Sequence, residues 1–163
     1  MPLVRLAASA LAFVLALTLT AAGAAPRGGT LDGFTIGHLP APTEGTSTSD
    51  FTYEWGEVSF NSRVWEKRLE DGAARVVLQV LVMRGDRLAD LDTTRAFLTE
   101  YHERAEDWAL AEFDHGGAPG LHGDAEAFWV PETGVAVEVR DPSGLVGTDE
   151  LMAAARGIAA SPA

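Results

Sequence analysis

The hydrophobic and polar positions in the first half of the chain follow the two-residue period of β-strands. Phe51, Tyr53 and Trp55 alternate with polar residues, which predicts a strand with one aromatic face. Residues 73–83 are apolar apart from Arg75 near their start and Gln79. Because a strand that is apolar on both sides needs cover on both sides, this stretch is predicted to lie at the centre of a sheet.

Several shorter runs also have the composition of strands. They are residues 33–39, 58–69, 109–115, 125–130 and 135–140. The glycine-rich residues between 116 and 123 are predicted to form a loop, and a proline and a glycine near residues 131–134 predict the turn of a hairpin.

From residue 90 onward the apolar spacing changes to that of a helix. Leu98, Tyr101 and Trp108 lie on one stripe, and an aspartate at position 90 or 92 suits the N-cap. A short second helix is predicted at residues 148–158, with acidic side chains at the positive end of its dipole.

The predicted strands are joined mostly by hairpin-length links, which favours antiparallel pairing over a doubly wound arrangement. The chain is therefore predicted to be an α+β protein. It is expected to have an antiparallel sheet of about six to seven strands, one long helix packed on a face, and a short C-terminal helix. Residues 33–163 are expected to form this single domain, after a leader at residues 25–32.

The first 24 residues have the three-part pattern of a secretory signal peptide. Arg5 precedes an apolar run from Leu6 to Ala22, and small residues follow up to Ala24, where cleavage is predicted. The alternative is an uncleaved N-terminal anchor, although the run is short for a membrane span. Both alternatives place the domain outside the cytoplasm, either secreted or extracytoplasmic, and only the second attaches it to a membrane.

The net charge of the chain limits the kinds of molecule that it is expected to bind. The chain carries 12 basic and 24 acidic residues, a net charge of −12. Such an acidic chain repels nucleic acid, so no nucleic-acid partner is expected. It has no cysteine, which excludes disulfides, thiolate metal sites and a cysteine nucleophile.

The best candidates for metal ligands surround the predicted loop. His115, His122 and Asp124 supply two imidazoles and a carboxylate that could converge on Zn²⁺ if the loop folds back on itself. The simpler alternative is a polar loop whose histidines face solvent. His38 and His102 could join the set only if the fold brings them near, and for His102 a capping or surface role is the usual case.

No catalytic residues and no cofactor are predicted. The sequence has no nucleophile elbow, no serine–lysine pair at helical spacing and no phosphate-binding glycine loop. The four tryptophans are better explained by core packing than by a ligand platform, with the alternative that at least one is exposed in a groove. The tryptophans are Trp55, Trp65, Trp108 and Trp129.

Several short blocks spread over the mature chain resemble an uncharacterised family of exported or singly membrane-anchored actinobacterial proteins. They are Gly33 to Pro40, Asp50 to Trp55, Ser62 to Glu66, Arg84-Gly85, Tyr101 to Arg104, Ala127 to Trp129 and Gly134 to Val139. A strong preference for arginine over lysine agrees with such a source. The resemblance implies a location in the cell envelope and brings no assigned activity.

The sequence therefore predicts an exported cell-envelope protein, most simply a non-enzymatic binding module. Its partner would be an envelope protein or a small apolar ligand, bound on the sheet or between sheet and helix. The alternative is a metal-binding protein or metal-dependent enzyme that uses the histidine and aspartate loop. A purely structural envelope component is the third possibility.

Overall fold

The structure is a computed structural model that describes residues 27–162. The predicted signal peptide, its cleavage at Ala24 and the alternative anchor lie outside the described residues. The strands are β1 (Gly29–Leu31), β2 (Phe34–Ile36), β3 (Ser47–Trp55), β4 (Val58–Arg68), β5 (Ala74–Arg84), β6 (Ala111–His115), β7 (Ala118–His122), β8 (Glu126–Glu132), β9 (Val135–Arg140) and β10 (Ile158–Ala160). The helices are α1 (Leu91–Tyr101) and α2 (Thr148–Arg156), with a 3-10 turn at Ala41–Thr43.

The main sheet has seven antiparallel strands in the order β3-β4-β5-β9-β8-β7-β6. This confirms the predicted α+β class and strand count. The first three strands form one meander and the last four form another, and β5 pairs with β9 where the two meet. A smaller sheet, β1-β2-β10, brings the two ends of the described chain together. Neither helix of residues 27–162 is long and apolar enough to cross a membrane.

The main sheet is covered on both faces, as the apolar pattern of β5 predicts. Leu78, Val80 and Val82 point toward α2 and the small sheet, whereas Leu81 and Met83 point toward α1. All five side chains are essentially inaccessible to solvent. Two hydrophobic cores therefore lie on opposite sides of one sheet.

Helix α1 begins as predicted and ends earlier than predicted. Asp90 is its N-cap, and its side chain accepts a hydrogen bond from the backbone of Thr93, whose own side chain closes a capping box. The apolar stripe predicts a helix up to Trp108, but the chain leaves the helix after Tyr101, and Glu103 takes a positive φ of 52°. The helices have eleven and nine residues, so the predicted contrast in length is small.

Three short strands lie where the sequence predicts none. β1 falls within the predicted leader at residues 25–32, and β10 falls in the tail that follows α2. Both pair with β2, β1 as a local hairpin and β10 through long-range pairing, so pairing organises segments whose local sequence is uninformative. The predicted loop at residues 116–123 contains β7, which pairs with both β6 and β8.

The composition of β7 explains why the sequence predicts a loop there. Pro119 lacks a backbone N–H, and it lies just beyond the part of β7 that pairs with β8. A Cβ on Gly120 would lie 2.5 Å from the ring of Phe113 and 2.9 Å from the carbonyl oxygen of Phe128. The glycine is therefore required by close packing inside a sheet, not by a flexible loop.

Helix α2 is attached to the main sheet through a buried carboxylate. Asp141 follows β9, and its side chain accepts hydrogen bonds from the backbone N–H groups of Leu145, Val146 and Gly147 at 3.1, 2.9 and 3.0 Å. Gly147 is the N-cap residue and offers no side-chain cap of its own. Asp141 thus fixes the loop that starts the helix.

Candidate interaction surface

The first edge of the main sheet exposes a row of aromatic side chains. Strands β3 and β4 are joined by a two-residue turn, Gly56-Glu57, in which both residues have positive φ, the conformation that suits tight hairpins. The strand period then places Phe51, Tyr53 and Trp55 on the face that carries α1. We refer to these three side chains as the aromatic ladder.

Tyr53 is the fixed middle member of the aromatic ladder. Its ring stacks on Phe60 of the neighbouring strand with centroids 4.8 Å apart, and its hydroxyl lies 2.7 Å from the hydroxyl of Tyr101 on α1. Burial, followed by this hydrogen bond, raises the pKa of Tyr53 above its ordinary value of 10.0. The side chain is thus a neutral link between edge strand and helix.

The two outer members of the aromatic ladder face solvent. Trp55 contacts Phe97 and Tyr101 edge-on, with centroid distances of 5.5 and 5.2 Å, and is 36% exposed. Phe51 is 52% exposed, the largest value among the large apolar side chains of the described residues. Because Tyr53 and Trp55 rest on a packed aromatic cluster, they are held in place before any partner arrives.

The edge formed by β3 differs from the opposite edge, which is formed by β6. β3 has nine residues, seven of them exposed, and within residues 27–162 it pairs only with β4. β6 has five residues and carries Glu112 and Asp114 at exposed positions. β3 also carries two exposed acidic residues, Asp50 and Glu54, so the two edges differ in length. Because short length is one of the usual protections of a sheet edge, β3 is the less protected one.

A buried polar network fixes the C-terminal end of α1, the helix whose Tyr101 contacts the aromatic ladder. His102, the C-cap residue of α1, donates from Nε2 to the two carboxylate oxygens of Glu138 at 2.9 and 3.0 Å. The two side chains are 5% and 0% exposed. Arg140 Nε lies 3.9 Å from the same carboxylate, and its Nη1 donates to Gln79, which donates to Ser62. The network fixes the end of α1 against three strands.

His115 is committed to structural contacts. Its ring stacks on Trp129 with centroids 4.1 Å apart and an interplanar angle of 7°, and Nε2 donates to the carbonyl oxygen of Ala155 in α2 at 2.9 Å. It therefore joins the β6–β7 hairpin to the second helix.

His122 and Asp124 lie away from His115. In the β6–β7 register, His115 is opposite Ala118 at one end of the hairpin, and His122 is at the other end. The ring of Phe113 lies between the two imidazoles, with centroid distances of 6.4 and 6.0 Å. His122 and Asp124 line one surface depression of about 340 Å³, which His115 does not reach.

The structure therefore does not bring these three residues together around a metal ion. Within residues 27–162, no group of three or more histidine, cysteine, aspartate or glutamate side chains is arranged to hold a metal ion. The physical reason is that 116–123 forms a β-turn and a strand, which extends the chain and separates the two histidines instead of folding them together. His38 is also elsewhere, paired with Glu150 of α2 at 3.1 Å.

The pairing of His102 with Glu138 was not predicted from the sequence. The signal was present in Val135–Arg140, where Glu138 is a single acidic residue among apolar neighbours that the fold buries on both faces. A carboxylate in such a strand needs a buried donor, and His102 on the predicted helix was available to supply one.

Comparison of the chain with protein-family models, with curated proteins and with solved structures finds no match. The resemblance to exported actinobacterial proteins, and the location that it implies, stay predictions from the sequence.

Proposed function

We propose that this chain is an exported, non-enzymatic protein-interaction module of the cell envelope. Its partner would add an extended strand to the free edge of β3 and pack side chains on the aromatic ladder. The observation that carries the proposal is the nine-residue edge strand, exposed at seven positions and bearing a half-exposed Phe51.

Strand addition suits this edge because main-chain hydrogen bonds supply affinity and alternate side chains supply specificity. On the α1 face, every second position of an added strand would lie beside the aromatic ladder. Tyrosine and tryptophan are enriched where interfaces concentrate their binding energy. Tyr53 and Trp55 are already oriented by Tyr101, so binding costs little ordering of their side chains.

Export and the absence of catalysis are supported by the sequence. Residues 1–24 have the pattern of a secretory signal, and the chain lacks cysteine, which is compatible with an oxidising compartment. The sequence has no nucleophile elbow, no serine–lysine pair at helical spacing and no phosphate-binding glycine loop.

The proposal is tested by site-specific photocrosslinking in the organism that makes the protein. A photoreactive amino acid replaces Phe51 in the full-length chain, and a matched control replaces Glu112 on the opposite edge strand. We expect a discrete protein adduct from position 51 and none from position 112. No adduct at position 51, or equal adducts at both positions, would refute a partner at β3.

A further inference from the structure

We infer that the partner at β3 is a second copy of this chain. This inference rests on the proposed function and names the molecule that would bind the edge of β3. Two β3 strands would pair antiparallel about a two-fold axis through Phe51. The two main sheets would then join into one continuous sheet. Closed two-fold dimers are the commonest form of soluble oligomer, and their interface is one self-complementary patch.

The length of β3 favours a two-fold axis at its middle residue. Phe51 is the middle residue of Ser47–Trp55, so a two-fold axis at this position pairs all nine residues of each strand. Antiparallel pairing over that length forms about eight to ten backbone hydrogen bonds. An axis centred two residues away, at Tyr53, would leave the residues before 51 opposite the turn into β4.

The pairing would also cover an exposed apolar side chain, that of Phe51. Phe51 is 52% exposed, and among residues 27–162 it has no aromatic neighbour at the distances that join Tyr53 and Trp55 to the core. In the proposed register it lies directly opposite the partner's Phe51, on the same face of the joined sheet. Cross-strand aromatic pairs are among the more favourable ones, so the most exposed apolar side chain gains a partner.

The positions of the acidic residues of β3 also permit this pairing. Asp50 would lie opposite Thr52, and Glu54 opposite Thr48, so no two acidic residues face each other directly. The two Asp50 carboxylates would be diagonal neighbours, and each Glu54 would be diagonal to the Asp50 of the other copy. Each Asp50 is held within its own chain by Arg63, through two hydrogen bonds of 2.7 Å, which reduces the repulsion at these positions.

The net charge sets the expected salt dependence. Without residues 1–24 each chain has 11 basic and 24 acidic residues, so two copies repel at long range. Added salt screens that repulsion and should strengthen the dimer. A basic partner segment would show the opposite dependence. Because one strand pair buries less surface than a standard interface, we expect the dimer to be reversible.

The test uses the absence of cysteine. Phe51→Cys introduces the only thiol of the full-length chain, and Asp114→Cys does so on the opposite edge strand as the matched control. After mild oxidation we expect a disulfide-linked dimer of the Phe51→Cys variant, in a yield that rises with salt, and mostly monomer for the Asp114→Cys variant. Sedimentation of the unmodified chain should show a monomer–dimer equilibrium.

A second variant keeps the test independent of cysteine chemistry. Phe51→Lys adds a charge at an exposed position of the edge, and we expect it to raise the dimer dissociation constant by about tenfold or more. The inference falls if the unmodified chain sediments as a monomer at every concentration and salt level, or if both cysteine variants cross-link equally. If the photocrosslinked adduct at position 51 contains a different protein, the proposed function stands and this inference fails.

Discussion

Replacing His102 by alanine tests whether the buried polar network stabilises the fold. Glu138 is fully buried and accepts both hydrogen bonds from His102, while Arg140 lies farther away at 3.9 Å. Removing His102 leaves a buried carboxylate with incomplete compensation, which costs about 3–5 kcal/mol in the free energy of unfolding. For a domain of this size that corresponds to a fall of about 10–20 °C in Tm.

The matched control is His38→Ala. His38 also donates from Nε2 to a glutamate, Glu150, at 3.1 Å, but these side chains are 40% and 52% exposed. An exposed pair of this kind contributes about 0–1 kcal/mol. Both variants are measured by urea denaturation followed through tryptophan fluorescence. If His102→Ala costs no more than His38→Ala, the argument that burial makes the difference is wrong.

Three further predictions concern other parts of the molecule. Asp141→Ala should lower the free energy of unfolding by about 2–4 kcal/mol in urea denaturation, because three backbone N–H groups lose their acceptor, and Asp141→Asn should cost less. Gly120→Ala should cost about 1–3 kcal/mol in the same assay through overlap with Phe113, whereas Gly116→Ala, which has open space but a positive φ of 62°, should show the cost of backbone strain without overlap. Arg63 holds the pKa of Asp50 below its ordinary value of 3.8, so the pair stabilises the fold above that pH and the stabilisation is lost as pH falls through the lowered pKa. The stability difference between the unmodified chain and Asp50→Asn should therefore be constant down to about pH 5 and shrink in stronger acid; a difference independent of pH would contradict this.

The sequence was sufficient where local pattern and burial agree. β5 and β9 are apolar on both sides because two cores cover them, and the hairpin of β3 and β4 follows from alternation. The sequence was insufficient for β10, because its pairing partner β2 is distant in the chain, and for β7, because Pro119 and Gly120 give this strand the composition of a loop. Local composition alone favours a loop and a tail there.

The candidate surface was predictable only in part. The alternation of Phe51, Tyr53 and Trp55 indicates a strand with an aromatic face. The order of the strands decides whether that strand lies inside the sheet or at its edge. That order depends on β5 pairing with β9, which no local signal specifies. The predicted metal ligands stay apart for a related reason, since closeness in sequence across a hairpin does not bring His115 and His122 together.

The junction between β5 and β9 also has a consequence for how the chain folds. Each of the two meanders consists of successive hairpins whose contacts are local, whereas Gln79 and Arg140 at the junction are 61 positions apart. Local contacts form quickly and long loops close slowly. We therefore expect the two meanders to acquire structure first, and the docking of β9 onto β5 to limit the folding rate.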